Sequence, residues 1–271
     1  MKMPGDPDPL YVAARAALLD TLDALREHHD ALVLVGAQAV YVHTGATTLS
    51  IAEYTTDADF CVAPDLLAAS PLLADRLLAN GYEIGANPGS WLSPRGITVD
   101  LMVPQALAGA GSRGARLGPH GNRAARRAKG LEASLLDRQR KVITAFEPSD
   151  ERSVEIWVAG PSALLIAKIH KINERLDSPD RLSDKDALDV FRLLQSVSTN
   201  SLSNRLNELR TSDLAGDVTA QAIDVLPALF GQSDSPGTRM AVRAAGEQSL
   251  DATIAASLVA LVQDLLDELA I

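Results

Sequence analysis

A single cysteine, Cys61, leaves this chain of 271 residues without an internal disulfide and without a Cys-rich zinc site. Aromatic residues make up only 4% of it, so a core must be built mainly from Leu, Val, Ile and Ala. No apolar run approaches the ~20 residues that a membrane span needs. The opening segment MKMPGDPDPLYV carries acids and prolines where a signal peptide would carry basic and then apolar residues. Positive charge is also in deficit, with 25 Lys and Arg against 35 Asp and Glu, which argues against a general nucleic-acid coat protein. Together these absences predict a soluble, cytoplasmic protein without membrane partners. The 46% apolar and 22% charged content is that of a globular chain and excludes disorder as its main state.

The order of elements predicts an α/β domain followed by a helical one. Apolar positions at helical spacing (Leu10, Ala14, Ala17, Leu18, Leu22, Leu25) predict a helix over 10–29. ALVLV (31–35) reads as a buried strand that ends at Gly36, and AQAVYVHTG (37–45) as a helix closed by Gly45. DADFCVA (57–63) and GITVDLMVP (96–104) read as strands, with 65–80 helical between them and broken or kinked near Ser70-Pro71. Further strands are expected at 131–136, 140–146 and 153–158. After Gly160-Pro161 only helical patterns follow, near 161–175, 184–196, 201–210, 214–230, 238–246 and 250–269. The reading is a mixed sheet with flanking helices over 1–158 and an α-helical domain over 159–271.

Chemistry concentrates in LVGAQAVYVHTGATTLSIAEYTTDADF (34–60). A buried strand runs through a Gly turn into a helix, whose first backbone N–H groups are free to receive phosphate. The next strand opens with Asp57-Ala58-Asp59, and alternate residues of a strand project from the same face. Two neighbouring carboxylates call for a cation, and hard divalent ions prefer oxygen ligands. Asp100, flanked by Val99 and Leu101, could add a third carboxylate. A DxD pair alone is common as loop acids or helix caps; the succession strand–Gly–helix, DxD strand, acid-bearing strand is what makes this one informative. His28, His29, His43, His120 and His170 have no metal-ligand spacing.

These residues resemble the minimal nucleotidyltransferases of the polymerase-beta-like superfamily, in particular the AbiEii and MenT toxin group. The family's Gly-Gly or Gly-Ser pair followed by DxD corresponds to Gly36-Ala37 and Thr56-Asp57-Ala58-Asp59. A helical lysine with an arginine two turns on corresponds to Lys168 and Arg175 in ALLIAKIHKINER (163–175). An arginine followed by KDxxD corresponds to RLSDKDALD (181–189), with Lys185, Asp186 and Asp189. The resemblance covers roughly residues 30–195. Ala37 departs from it, standing where Gly or Ser is usual, and the 20 residues between Gly36 and Asp57 exceed the usual spacer, as an insertion such as TLSIAEY would make them.

The resemblance implies transfer of NMP from an NTP to an acceptor, such as a tRNA 3′ end, and a cognate antitoxin as a partner. Asp57 and Asp59 would bind Mg²⁺. Asp100 would complete that site or accept the proton of the acceptor hydroxyl. Gly36, Ala37 and Thr56 would meet the nucleotide. Lys168 would lie against the triphosphate, with Lys171 as the alternative lysine, and Asp186 would orient Lys168 or help deprotonate the acceptor. On its own residues Lys168 also reads as a helix lysine snorkelling from an apolar face, and Asp186 as a helix N-terminal acid.

The segment GSRGARLGPHGNRAARRAKG (111–130) carries six basic residues and no acid. Arg123, Arg126 and Arg127 would share a face if it were helical, as an RNA-backbone contact would require. Two other readings keep the fold. A small acceptor such as an aminoglycoside would suit the overall charge but not the arginines, and a catalytically inactive binding module would suit Ala37 and the long spacer.

Overall fold

The computed structural model describes residues 8–45, 55–178, 183–246 and 251–269. The protein is mixed α/β and divides into two compact units. The first comprises Met1–Ala39, Leu49–Ala128 and Arg138–Ala159, and the second Val40–Thr48, Lys129–Asp137 and Gly160–Ile271. The division therefore follows the loss of strands after Ala159 but is not a single cut, because two upstream segments belong with the helices.

The first unit holds all the strands found among the described residues: β1 (Leu32–Val35), β2 (Asp57–Val62), β3 (Glu83–Ile84), β4 (Ser90–Leu92), β5 (Thr98–Pro104), β6 (Arg126–Ala128), β7 (Arg138–Thr144) and β8 (Ser153–Ala159). They form one sheet in the order β3-β4-β5-β2-β1-β8-β7, with β6 added to β5. The sheet is mixed: β1 is antiparallel to β2 and parallel to β8, and β2 is parallel to β5. β1 lies centrally, and its four residues are all buried, which is why its sequence is wholly apolar rather than alternating. Helix α1 (Pro9–Ala24) opens with Asp8 accepting a hydrogen bond from the Leu10 N–H and with Pro9 in its first turn.

A buried arginine ties this unit together. Arg15, on α1, donates to the Tyr11 hydroxyl, to Gln38 Oε1 and to the Thr144 carbonyl, each at 3.0 Å. Its guanidinium also lies 4.3 Å from the Phe146 ring centroid.

The second unit is helical. It contains α4 (Pro161–Asn173), α5 (Asp184–Ser196), α6 (Thr199–Arg210), α7 (Gly216–Phe230), α8 (Pro236–Ala245) and α9 (Asp251–Glu268). α4 packs on α5 and α7, α5 on α8, and α6 on α9. The core is aliphatic, with Leu164, Leu165, Ile169, Leu193, Leu226, Leu258 and Val262 buried. Pro161 occupies the first turn of α4 and Gly160 precedes it. Among the described residues, no helix of the chain is long and apolar enough to cross a membrane.

Three local expectations are corrected. The strand expected at 131–136 is a 3-10 turn at Glu132–Leu135, where Ser134 N–H bonds the Leu131 carbonyl and, among the described residues, no strand pairs with it. The helix expected over 65–80 does break at Ser70-Pro71, with α3 (Leu73–Ala79) after the break, but before it there is only a 3-10 turn at Pro64–Leu66. Pro71 has no N–H to donate and holds Ser70 out of the helical region. The helix expected over 10–29 stops at Ala24 and passes into a 3-10 turn at Arg26–Ala31.

Burial leaves an acid sensitivity. His28 in the first unit and His170 in the second are nearly inaccessible, and burial pushes both imidazoles below their ordinary value of 6.5, against a backbone hydrogen bond that acts the other way. A folded value below the unfolded one means that the unfolded chain binds more protons under acid conditions. The two histidines' contribution is therefore complete above pH 6.5 and declines as the pH falls below it. Urea unfolding at pH 7.5 and 5.5 should show the lower midpoint at 5.5, and His170→Gln should reduce the difference between them.

Candidate active site

Helix α2 (Gly36–Thr44) starts at the end of β1, and the turn is made by Gly36 at φ +70°. This left-handed conformation suits glycine, but space decides more than torsion here. A Cβ on Gly36 would overlap Asp59 Oδ2, so the carboxylate lies directly against the bare Cα. Gly36→Ala should cost at least ~1 kcal/mol from the positive φ alone and should push Asp59 aside. Chemical denaturation measures the first effect; an unchanged stability would mean that the turn relaxes at no cost.

Asp59 stands opposite Val35 on β1 and, on its other side, opposite Asp100 on β5. Registered neighbours on parallel strands project to the same face, and so do residues two apart on one strand. Asp57, Asp59 and Asp100 therefore share one face of the sheet. Asp57 lies opposite Thr98, one pleat repeat from the Asp59–Asp100 pair.

Each carboxylate is positioned differently. Thr55, fully buried, donates to Asp57 Oδ1 at 2.5 Å. Gln38 on α2 donates to the Asp57 carbonyl at 3.0 Å and to the Ala14 carbonyl at 3.1 Å, while its own oxygen accepts from Arg15. The acceptor and donor ends of the Gln38 amide are thus fixed, and α1, α2 and the start of β2 are joined through one buried side chain. Asp100 Oδ2 accepts from Arg126 Nη2 at 3.0 Å, with both side chains partly exposed. Neither Thr55, Gln38 nor Arg15 is marked by the sequence patterns. The only visible signal is a glutamine in an otherwise apolar helical stretch.

The donor set is hard oxygen, the chemistry that Mg²⁺ prefers. The cradle at Gly36 and a guanidinium already seated on Asp100 both fit a place for positive charge. Among the described residues, however, no group of three or more His, Cys, Asp or Glu is assembled to hold a metal ion. Asp57 and Asp59 are the donors that fit a cation, while Asp100 is held by Arg126. Of the expected nucleotide contacts, Ala37 is buried in the first turn of α2 and Thr56 is exposed just before β2. The insertion TLSIAEY (48–54) lies outside the described residues, as does Arg181 of the third motif.

The second unit gathers the other motif residues. Lys168 on α4 is buried and donates to Asp186 Oδ1 at 2.7 Å and to Asp189 Oδ2 at 2.6 Å, both on α5. Lys171, one turn on and more exposed, reaches the same Asp186 oxygen at 3.0 Å. Burial opposes the charged form of Lys168, but the two carboxylates outweigh it and hold the ammonium well above its ordinary range. Burial likewise opposes ionised Asp186, and Lys168 and Lys171 outweigh it, holding this carboxyl well below the usual carboxylate range. Asp189 Oδ1 is buried without a hydrogen bond among the described residues. Asp184, at the start of α5, pairs with Arg243 at 2.7 Å.

The basic segment differs from the expected helix. Residues 126–128 form strand β6, so Arg126 and Arg127 are adjacent strand positions that point to opposite faces, and the shared arginine face does not form. Arg127 donates to the carbonyls of Gly109 and Gly111, Arg126 pairs with Asp100, and Arg123 is exposed. The physical reason is the sheet: pairing of Met102 with Arg126 extends β5 sideways and satisfies backbone that a helix would otherwise satisfy locally. No family model, curated protein or solved structure matches the chain.

Proposed function

We propose that this protein is a Mg²⁺-dependent nucleotidyltransferase that moves NMP from an NTP to an acceptor hydroxyl, with RNA such as a tRNA 3′ end as the acceptor. One observation carries the reading: Asp59 and Asp100 stand in register on parallel strands, with Asp57 on the same face and Asp59 seated against the left-handed Gly36. That is the motif order strand–Gly–helix–DxD–strand–Asp converted into neighbours in space.

In the reaction, the acceptor oxygen attacks the α-phosphorus, the bond from that phosphorus to the β-phosphate oxygen breaks, and pyrophosphate leaves. Asp57 and Asp59 would hold the ion, which when bound supplies charge stabilisation to the attacking and leaving oxygens. The start of α2 offers backbone N–H groups to phosphate oxygens. Asp100 completes the carboxylate set or receives the acceptor's proton. Gln38 and Thr55 position Asp57 and touch no substrate. Lys168 and Asp186 enter by their motifs, and Arg123, exposed on the basic segment, is the member of the arginine set best suited to an RNA backbone.

Incubation with labelled NTPs, Mg²⁺ and either total tRNA or an aminoglycoside tests the reading. Label should enter tRNA and not the aminoglycoside, and Asp57→Ala should abolish it. Label that enters the aminoglycoside alone would transfer the reading to a small acceptor.

A further inference from the structure

At the outer edge of the sheet, β7 places two arginines on one tryptophan. Arg138 and Arg140 each hold a guanidinium carbon 4.6 Å from the ring centroid of Trp157 on β8. Arg140 is registered opposite Trp157 and Arg138 lies two residues along, so all three project to one face. The charge there is only partly neutralised. Arg140 pairs with Asp30, whose side chain is 78% exposed, so that pair is weak and can exchange. Arg138 has no ion pair among the described residues, and its Nη1 is buried without a hydrogen-bond partner among them. Burial pushes this guanidinium below its ordinary range, and the charge of Arg140 acts in the same direction. It stays charged at physiological pH all the same. A buried charged donor without an acceptor is unfavourable, and a bound anion relieves it.

We propose that Arg138, Arg140 and Trp157 form a binding site for a phosphate group, supplied either by a polynucleotide backbone or by a small phosphate. The planar fork of an arginine matches the oxygens of a phosphate, and two forks held at one indole can share a single group. Such forks favour an anion with several equivalent oxygens over a halide. The site is distinct from the carboxylates. Trp157 is registered with Val33, Val33 with Cys61, and Asp59 lies two residues from Cys61, so the arginines project from the carboxylates' face of the sheet. β7 nevertheless stands three strands from β2, about 14 Å at the usual strand spacing. Val33 and Cys61 along the way are fully buried, so packed side chains separate the two places. A phosphate held at β7 is therefore not one held beside Asp59. The inference stands apart from the nucleotidyltransferase reading and involves no bond chemistry.

The test uses the full chain with Trp91→Phe, which leaves Trp157 as the only tryptophan and makes it the reporter. Inorganic phosphate and a short oligouridylate are titrated separately, each against chloride at matched ionic strength. Emission from Trp157 should change saturably with phosphate groups and not with chloride. Calorimetry on the wild-type chain reads the same binding without the Trp91 substitution. Arg138→Ala should weaken binding by about tenfold or more. Arg138→Lys, which keeps the charge but not the fork, should weaken it by about threefold and serves if the alanine variant folds poorly. Asp30→Asn releases Arg140 and should tighten binding about twofold to threefold, a gain that arginines serving only to cover Trp157 would not give. Arg123→Ala removes an equal charge elsewhere and should change affinity less than about twofold. A response to oligouridylate alone would make a polynucleotide backbone the source, and a response to inorganic phosphate alone a small phosphate; either supports the site. No binding of either probe by emission or heat, or a loss at Arg123→Ala equal to that at Arg138→Ala, would overturn the proposal and leave the enzyme reading untouched.

Discussion

Replacing Lys168 by alanine should destabilise the protein by about 3–5 kcal/mol, because it leaves buried Asp189 without the ammonium that pairs it and Asp186 with only the more exposed Lys171. Asp186 and Asp189 are both nearly inaccessible and both hydrogen-bonded to the same ammonium. Water cannot replace the lost charge where the side chains are packed. Lys171→Ala, at a half-exposed position on the same Asp186 oxygen, should cost no more than about 1 kcal/mol. Urea titrations of the two variants measure the contrast; a loss below about 1 kcal/mol for Lys168→Ala would mean that the cluster is solvated. The contrast should persist across a wide pH range. Asp186 is depressed from 3.8, so its contribution is complete above that value and fades only in stronger acid. Lys168 is raised from 10.5, so its contribution is complete below that value and fades only in stronger base.

The second large effect is catalytic. Asp59→Asn should lower nucleotide transfer by ~10³-fold, since it removes a charge that the reaction needs while retaining the shape of the side chain. Asparagine is isosteric, so its fit against Gly36 is preserved, and relief of repulsion from Asp57 and Asp100 offsets the lost contacts. The unfolding midpoint should therefore stay close to that of the wild type. A variant that folds normally and transfers at the wild-type rate would remove Asp59 from the chemistry.

The parts of this fold that could be read from the sequence are those decided locally. β1, β2 and β5 announced themselves because short apolar or β-branched runs bounded by Gly and Pro have few other solutions. The helices after Pro161 were legible from 3.6-residue periodicity, and the structure places their limits within a few residues of the pattern. The misreadings arose where tertiary pairing decided. Residues 131–136 have apolar content suited to a strand but no strand beside them, so they close as a 3-10 turn. Residues 126–128 have helical charge spacing but lie beside β5 and become a strand.

The same distinction governs the site. The same-face placement of Asp57 and Asp59 follows from an i,i+2 spacing. The pairing of Asp59 with Asp100 depends on register across 41 positions of chain, to which the motif order pointed without fixing it. Arg15 and Gln38 carry no sequence signal because most of their hydrogen bonds go to backbone or to residues distant in sequence, and Thr55 carries none because one hydroxyl beside an acid is no pattern. Helical spacing groups Arg126 with Arg123 and Arg127 on one face, and only the sheet separates them.

The most direct measurement is to supply the same NTP labelled either at the α- or at the γ-phosphate, with Mg²⁺ and total tRNA. The account predicts that α-label enters the RNA, that γ-label appears in released pyrophosphate in equal amount, and that both are lost in Asp59→Asn. Entry of γ-label into the acceptor, or no transfer of either label by folded wild-type protein, would contradict it.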